Sequence, residues 1–321
     1  MALPDIKEKW SSRLFTVVLG ATAEEGGTRC RSIKVGGEET LPFLHFEGSL
    51  PNPPVLAMEI ADIYPESWAG FLEQPFGDAL KSPVDWARKC VEDFGADMIC
   101  IKLMGVHPDF GNASPKQAAE VVEAVKEAVD VPLIVWGCDD DQKDNEVLPV
   151  CSQVLAGERA LLGTATKENY KTLVVSCLAD GHALITESPI DINIAKQVNI
   201  LVSDMELPLD RVVMYPTTGG LGYGIEYVYS IQERGRIAAL TGDRIMATPV
   251  ICLVGAESWR AKEAKAPEEE TPGWGPTQER GPLWETITAT TLLQAGADIL
   301  VMLHPKAVAA VRSFVGGLVK P

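Results

Sequence analysis

The feature that most constrains this chain is a repeat: from residue 55 onward, short apolar segments alternate with helical segments eight times. The short segments are apolar throughout, as expected of parallel strands that are covered on both faces. Eight strand–helix units predict an α/β protein with a TIM-type (βα)8 barrel, and a doubly wound open sheet is the alternative. The predicted strands are 55–60, 97–103, 132–138, 160–165, 182–187, 211–216, 249–255 and 298–303.

Several predicted helices have recognisable ends. Ser82 and Ser114 are each followed by proline, the combination expected for an N-cap and a first helical residue. Gly95 is predicted to cap the end of the first helix. The stretch 260–282 is rich in proline, glycine and acidic residues and predicts a long surface loop after the seventh strand. The helices are predicted at 82–95, 114–130, 144–157, 167–179, 188–205, 224–240 and 305–317.

The first 54 residues do not share this repeat. Two apolar segments, 15–20 and 31–37, flank a stretch of glycine and small polar residues, which predicts a β-hairpin. Prolines then interrupt the chain before the first barrel strand, and proline is excluded from central strands. We therefore predict an N-terminal extension with a β-hairpin over 1–54 and the barrel over 55–321.

The charge of the chain narrows the class of partners. Its net charge is −17, and an acidic surface of this kind repels phosphate backbones, so we expect no nucleic-acid partner. No apolar stretch approaches the roughly 20 residues of a membrane span. The N-terminus lacks the apolar segment of a signal peptide. We therefore expect a cytoplasmic protein without a membrane segment.

The seven cysteines are scattered, and most lie inside apolar segments. No two of them have the close spacing of an iron–sulfur or structural zinc site, so we expect neither group on this chain. The cysteines are predicted to be buried, reduced thiols of a cytosolic core. The four histidines also lack metal-ligand spacing, and we predict no metal ligand.

In a barrel of this type, binding sites are built from the loops that follow the strands. The strongest such signal is 215–227, where four glycines stand within eight residues just before a helix. Glycines let backbone N–H groups approach a ligand closely, and a helix N-terminus favours anionic or carbonyl groups. We interpret the segment as a ligand platform; a tight turn is the alternative. The predicted binding residues are Thr217, Thr218, Gly219, Gly220, Leu221, Gly222 and Tyr223.

Other residues after the strands give weaker signals. The segment 137–144 carries adjacent aspartates that could bind a hard cation, but a helix cap in a solvated loop is the favoured interpretation. Lys102 could form a Schiff base, and a salt bridge is favoured. We find no nucleophile paired with a base, and hence predict no catalytic residue. This pattern favours holding a ligand over transforming one.

Longer motifs resemble one protein family. They are LPFLHFEG (41–48), LLGTATKENYK (161–171), SPIDINIAKQVNIL (188–201), GGLGYGIEY (219–227), WRAKEAKAP (259–267), PGWG (272–275) and LLQAGADIL (292–300), with VVLGAT and GGTR in the predicted hairpin. Along almost its whole length the chain resembles the small (delta) subunit of the corrinoid iron–sulfur protein of the acetyl-CoA (Wood–Ljungdahl) pathway.

The resemblance implies a barrel that pairs with a large subunit as a heterodimer. In this family the large subunit carries a [4Fe–4S] cluster and a corrinoid-binding domain, and the corrinoid lies between that domain and the barrel mouth. The cobalt receives a methyl group from methyltetrahydrofolate through a methyltransferase and delivers it to acetyl-CoA synthase; a reductive activator is a further partner. This chain would then be a non-catalytic methyl-carrier subunit. Thr217, Thr218 and the glycine N–H groups could bind the amide arms of the corrin.

A true enzyme is the alternative function. A pterin-dependent methyltransferase barrel would bind methyltetrahydrofolate in its own mouth, with aspartate and asparagine side chains at strand ends around the pterin ring. Asp139 and Asn169 are the candidates for that role.

Overall fold

The computed structural model describes residues 6–319 and contains a barrel of eight parallel strands behind an antiparallel hairpin. The hairpin consists of β1 (Thr16–Leu19) and β2 (Ile33–Gly36). The barrel strands are β3 (Val55–Ala61), β4 (Met98–Lys102), β5 (Leu133–Trp136), β6 (Leu161–Ala165), β7 (Ala183–Glu187), β8 (Val212–Tyr215), β9 (Ile251–Leu253) and β10 (Ile299–Met302). Each predicted strand coincides with an observed strand within two residues.

The strand order closes the barrel. The hydrogen-bonded order runs β8-β7-β6-β5-β4-β3-β10-β9, so the first and last barrel strands are neighbours. Between β8 and β9 the Met214 N–H donates to the Pro249 carbonyl at 2.8 Å, and a parallel bridge joins Met214 to Val250. The predicted (βα)8 barrel with an N-terminal hairpin is therefore confirmed, and the open sheet is not observed.

The helices are α1 (Gly70–Glu73), α2 (Pro83–Glu92), α3 (Pro115–Ala128), α4 (Asp141–Val154), α5 (Tyr170–Asp180), α6 (Ile192–Asp204), α7 (Ile225–Leu240), α8 (Val254–Arg260), α9 (Lys262–Lys265), α10 (Thr277–Ala295) and α11 (Pro305–Leu318). Ser82 and Ser114 are N-caps as predicted, and each side chain accepts a backbone N–H at 3.3 Å. Among the helices of the described chain, none combines the length and apolarity that crossing a bilayer requires.

Two local predictions were wrong. Helix α2 ends at Glu92 with Asp93 as its C-cap, so Gly95 does not cap it; the left-handed turn at Gly95 (φ 67°) follows two residues later. The stretch 260–282 is not one loop, because α9 and the first turns of α10 lie inside it. Only 266–276 is irregular, and the buried Arg280 of α10 ties it down by donating to the Ala266 carbonyl and to Thr271 Oγ1.

The hairpin closes the amino-terminal end of the barrel. Val17, Leu19 and Val35 belong to the same buried cluster as the inward-facing residues of the barrel strands. At Gly20 an added Cβ would lie 2.6 Å from Pro132, which directly precedes β5. The hairpin therefore packs against the ends where the strands begin and leaves the opposite end as the mouth.

Buried arginines fix this closed end. Arg29, from the GGTR motif, donates to Glu158 Oε2 at 2.8 Å and to the Val129 carbonyl at 2.7 Å. Arg236 of α7 pairs with Glu38, just beyond β2, at 3.1 Å and with Asp298, just before β10, at 3.0 Å. These contacts bind the hairpin region to the barrel through charges that are removed from water.

Candidate functional site at the barrel mouth

The open end of the barrel has a polar floor. Along β3 and β4 the inward-facing residues are Val55 and Ala57, then Met98 and Cys100. Because side chains alternate along a strand, Glu59 and Lys102 are the next inward-facing residues. In the same way Glu187 ends β7 and Tyr215 ends β8, and the two are paired in register. The last layer inside the barrel thus contains these polar side chains beside Trp136, which pairs in register with Lys102, whereas the layers below it are apolar.

The charges of this floor are mostly negative. Lys102 Nζ lies 3.3 Å from Asp139 Oδ2. Burial lowers the pKa of Lys102, but the Glu59 and Asp139 carboxylates outweigh burial and hold that pKa above its ordinary value. The ion pair with Asp139 agrees with the favoured salt-bridge interpretation of Lys102.

The glutamates of the floor are poorly compensated. Burial raises the pKa of Glu59, and the nearby Lys102 ammonium only partly opposes the rise. Within the described residues, one carboxylate oxygen of Glu59 is buried without a hydrogen-bond partner. Burial likewise raises the pKa of Glu187, whose carboxylate accepts a hydrogen bond from Thr164. Unsatisfied acceptors in a concave site are suited to a ligand that offers N–H donors.

An aromatic cleft of about 650 Å³ opens beside the floor. It lies between the loops that follow β3 and β4, and its walls include Tyr64, Trp68, Trp86 and Phe110. Glu59 and Lys102 also line it. The cleft therefore joins apolar walls to the charged floor.

The predicted platform at 215–227 forms the rim of the mouth. Thr217 Oγ1 donates to the Ser188 carbonyl at 2.6 Å, and Thr218 Oγ1 accepts the Leu253 N–H at 2.9 Å. Thr218 is also buried. These two hydroxyls hold the loop to the neighbouring strand ends, so they are less available to a ligand than the sequence suggested. The exposed residues of the rim are Gly222, Tyr223, Glu226 and Tyr227.

The conformation of the rim loop itself requires glycine at several positions. A Cβ on Gly219 would lie 2.8 Å from the backbone of Gly224. Gly222 and Gly224 have φ of 78° and 91°, in the left-handed region that favours glycine. Gly220 is buried, and a Cβ there would lie 3.1 Å from the Glu257 carbonyl. The turn conformation thus accounts for several glycines, and it leaves Tyr223 exposed at the mouth.

Other predicted residues prove to be structural. Asp140 is the N-cap of α4 and accepts the Lys143 N–H at 2.8 Å, in line with the favoured interpretation of the aspartate cluster. Asn169 is buried, accepts the Thr166 N–H at 2.8 Å and donates to the Thr164 carbonyl at 3.0 Å. Both ends of its amide already make a hydrogen bond inside the protein, so this side chain is less available to a pterin than the sequence suggested. Among residues 6–319, no three His, Cys, Asp or Glu side chains are placed to share a metal ion.

Sequence reasoning missed the most informative residue of the site. Glu59 stands inside the apolar run VLAMEI and looks like part of a strand. Counting by twos from Val55 would have placed it inward, where a lone carboxylate at the end of a barrel strand indicates function. The aromatic cleft could not be found this way, because loops distant in sequence form it.

Comparison with known proteins gives the fold and the family. The chain is similar to dihydropteroate synthase from Xanthomonas albilineans, with a TM-score of 0.57 and 13% identity over 88% of this chain and 100% of that one. The enzyme from Thermus thermophilus gives a TM-score of 0.53 and 17% identity over 87% and 98% of the two chains. At this identity the likeness supports the barrel fold alone.

The sequence relatives are much nearer. The chain is 38% identical to the acetyl-CoA decarbonylase/synthase complex subunit delta of Archaeoglobus fulgidus, over 95% of this chain and 68% of that one. It is 38% identical to the subunit of the same name from Methanopyrus kandleri, over 92% and 72% of the two chains. A family model described as CO dehydrogenase/acetyl-CoA synthase delta subunit matches residues 16–266. The chain therefore belongs to the family of delta subunits of the CO dehydrogenase/acetyl-CoA synthase complex.

Proposed function

We propose that this delta subunit is the barrel half of a heterodimeric corrinoid iron–sulfur protein, a non-catalytic carrier in methyl transfer. Its large partner subunit holds the [4Fe–4S] cluster and the other half of the corrinoid site. A methyltetrahydrofolate:corrinoid methyltransferase, acetyl-CoA synthase and a reductive activator are the further partners. The corrinoid supplies the cobalt centre through which the methyl group passes.

One observation carries this proposal: most of the strongly exposed aromatic side chains of the described residues lie on segments that follow barrel strands at the mouth end. Six aromatic residues are strongly exposed, and all except Phe46 follow barrel strands at the mouth end. The five are Tyr64, Phe110, Tyr223, Tyr227 and Trp274. A corrin is a broad, flat ring with apolar faces, and aromatic side chains around an open mouth suit such a ring.

The polar floor suits the edge of the same ligand. The amide arms of a corrin end in NH₂ groups, each with two hydrogen-bond donors. Glu59, Asp139 and Glu187 offer acceptors at the mouth, and the free oxygen of Glu59 has no competing partner among the described residues. These carboxylates, with Tyr223 on the rim, are the residues that would hold the corrinoid. We therefore assign the hydrogen bonds to the corrin amides to these carboxylates and not to the hydroxyls of Thr217 and Thr218. The rim segment 217–223 remains a proposed contact.

The chemistry of the mouth supports a carrier over an enzyme. The cysteine nearest the mouth, Cys138, is buried, and burial raises the pKa of its thiol to about 12. It is therefore a poor nucleophile. Lys102 is held protonated by its carboxylate neighbours. The proposed role of this chain is to orient the corrinoid and to exclude water, while the cofactor supplies the reactivity.

A pterin-dependent methyltransferase is the second candidate, and the free oxygen of Glu59 favours it. A pterin ring also presents N–H donors, which Glu59 and Asp139 could accept. Incubating the purified chain with methyltetrahydrofolate and free cob(I)alamin separates the two functions. Turnover by the chain alone would show an enzyme, and its absence together with corrinoid binding in the heterodimer would support the carrier.

The proposal is tested by co-purifying the tagged chain with the other subunits of its complex and recording the absorbance spectrum. We expect corrinoid and iron–sulfur bands only when the large subunit is present. A complex that forms in full and contains no corrinoid would contradict the proposal.

A further inference from the structure

A second cavity, of about 450 Å³, lies outside the barrel at the start of α11. The residues around it include Phe71 of α1, Phe94 just after α2, and His304, Lys306 and Ala309 at the start of α11. We call this cavity the α11 groove. It shares no lining residue with the aromatic cleft or with the rim segment 217–223. The α11 groove is therefore a site separate from the proposed corrinoid contact.

His304 lines the α11 groove with an unpartnered ring nitrogen. The side chain is the N-cap of α11, where its Nδ1 accepts the Lys306 N–H at 3.1 Å. Burial and the neighbouring Lys306 ammonium lower the pKa of His304 to about 4, so the ring is neutral at pH 7. A neutral imidazole that accepts at Nδ1 carries its proton on Nε2. In the described part of the chain nothing accepts that proton, although His304 is only 4% exposed.

The position of this donor is fixed by its surroundings. The imidazole stacks on the Trp259 ring, with 5.8 Å between the ring centroids and 27° between the planes. The buried Glu285 accepts the Trp259 Nε1–H at 2.7 Å and the backbone N–H of His304 at 3.1 Å. A ligand that accepts from Nε2 would therefore not have to order this side chain, and that lowers the cost of binding.

The charges around the α11 groove favour an anionic oxygen at the same point. The N-terminus of α11, a helix of 14 residues, contributes a partial positive charge. The carboxylates nearby already have cationic partners. Asp93 lies 3.0 Å from Lys89 Nζ, and Glu279 lies 2.8 Å from Lys306 Nζ. The free N–H of His304 and the end of the helix therefore determine which ligand atom is favoured there.

The rest of the lining is largely apolar. Phe71, Pro75, Phe94, Pro305 and Ala309 contribute ring or aliphatic surface. Such walls favour a ligand with a flat apolar body and add nothing to the binding of free phosphate. Among the described residues that line the α11 groove there is no arginine, the side chain that most often holds phosphate.

We infer that the α11 groove binds a small carboxylate with a flat apolar body. One carboxylate oxygen accepts the Nε2–H of His304 at the start of α11, and the body packs between Phe71 and Phe94. This inference goes beyond the proposed function, because it needs neither the corrinoid nor a second subunit.

The first test measures binding of benzoate to the full-length chain by isothermal titration calorimetry. Benzyl alcohol, which has the same ring without the carboxylate, and inorganic phosphate are the comparison ligands. We expect benzoate to bind at least about tenfold more tightly than either, because only benzoate offers both the charged acceptor and the apolar body. In ¹⁵N spectra of the histidine side chains, benzoate should shift the Nε2 signal of His304.

The second test uses three variants. His304→Asn removes the Nε2 donor and keeps a side chain that is favoured at an N-cap, so α11 should still form. Ala309→Asp and Ala310→Asp place the same charge at adjacent exposed positions, and only Ala309 lines the α11 groove. We expect His304→Asn and Ala309→Asp to weaken benzoate binding at least about tenfold, and Ala310→Asp to leave it within about threefold.

Several results would overturn the site. They are no binding of benzoate to the wild-type chain, equal binding of benzyl alcohol, tighter binding of phosphate, and unchanged affinity in a folded His304→Asn variant. Thermal midpoints show whether each variant folds. Should His304→Asn fail to fold, equal effects of Ala309→Asp and Ala310→Asp or an unshifted Nε2 signal of His304 would still overturn it.

Discussion

Substitution of Gly219 by valine tests whether the rim loop is a corrinoid contact. A Cβ at this position would lie 2.8 Å from both the carbonyl carbon and the oxygen of Gly224, and 3.1 Å from the Tyr223 carbonyl oxygen. All three atoms belong to the backbone, so no side-chain rotation can relieve the contact. The loop from Gly219 to Gly224 must therefore move.

The size of the effect follows from this overlap. Forcing extra carbon atoms into a packed site costs about 1–3 kcal/mol. The free chain relieves that strain by shifting the loop, so its thermal midpoint should change little. Binding of the corrinoid would have to restore the original loop, and its affinity should then fall by roughly 5- to 150-fold, since each 1.4 kcal/mol is tenfold.

The assay is reconstitution of the variant with the large subunit, followed by measurement of bound cobalt and of the thermal midpoint. Gly70→Val is the matched control. Gly70 is exposed on the segment after β3, has no positive φ, and has no atom within 4 Å of an added Cβ. We expect full cobalt occupancy in this control. Unchanged corrinoid affinity in Gly219→Val would show that the rim loop is not a contact, and the site would then be confined to the floor and the aromatic cleft.

Three further predictions concern stability and cofactor content. Arg236→Met removes the countercharge of the buried Asp298 and the guanidinium partner of Glu38, and it should lower the free energy of unfolding by about 3–5 kcal/mol. Arg312→Met breaks only an exposed ion pair and should lower the free energy of unfolding by less than about 1 kcal/mol. Similar urea midpoints for the two variants would contradict this reasoning. Burial and the Asp298 carboxylate raise the pKa of Glu38. The folded chain then binds the extra proton, and the free energy of unfolding should fall as the pH rises from the ordinary pKa of a glutamate through the raised one. Glu38→Gln should reduce that slope in denaturant titrations at several pH values, and an unchanged slope would refute the assignment. Finally, the chain expressed alone should hold no iron–sulfur cluster; stoichiometric iron and sulfide in the folded protein would refute this.

Most of the barrel could be predicted from the sequence because its strands are buried on both faces. Such strands are continuous apolar runs, and they stand out from the helices that separate them. The helix starts at Ser82 and Ser114 were predictable for a local reason, since an N-cap needs only its own side chain and the next turn. Helices and strands could thus be predicted wherever one short segment determines its own conformation.

The stretch 260–282 shows where local reasoning fails. Its prolines and glycines indicate a loop, yet Pro282 lies inside α10. The buried Arg280 fixes the start of this helix through contacts with 266–275, and such contacts are set by tertiary structure. The roles of the site residues likewise depend on tertiary contacts. The rim was recognisable as a glycine-rich segment, whereas the roles of Thr217 and Thr218 depend on strands that are distant in sequence.

The two ends of the barrel differ in how many buried cations face their carboxylates. At the closed end the buried Arg29 faces Glu158 and Arg236 faces Glu38 and Asp298, although one oxygen of Glu38 accepts no hydrogen bond among the described residues. At the mouth Lys102 pairs with Asp139, and an oxygen of Glu59 is buried without a hydrogen-bond partner among the described residues. Buried acceptors without donors destabilise a fold. Departures of this kind from an otherwise consistent design are expected where a ligand or a partner completes the structure. We therefore propose that the closed end serves stability and that this subunit acts at the mouth.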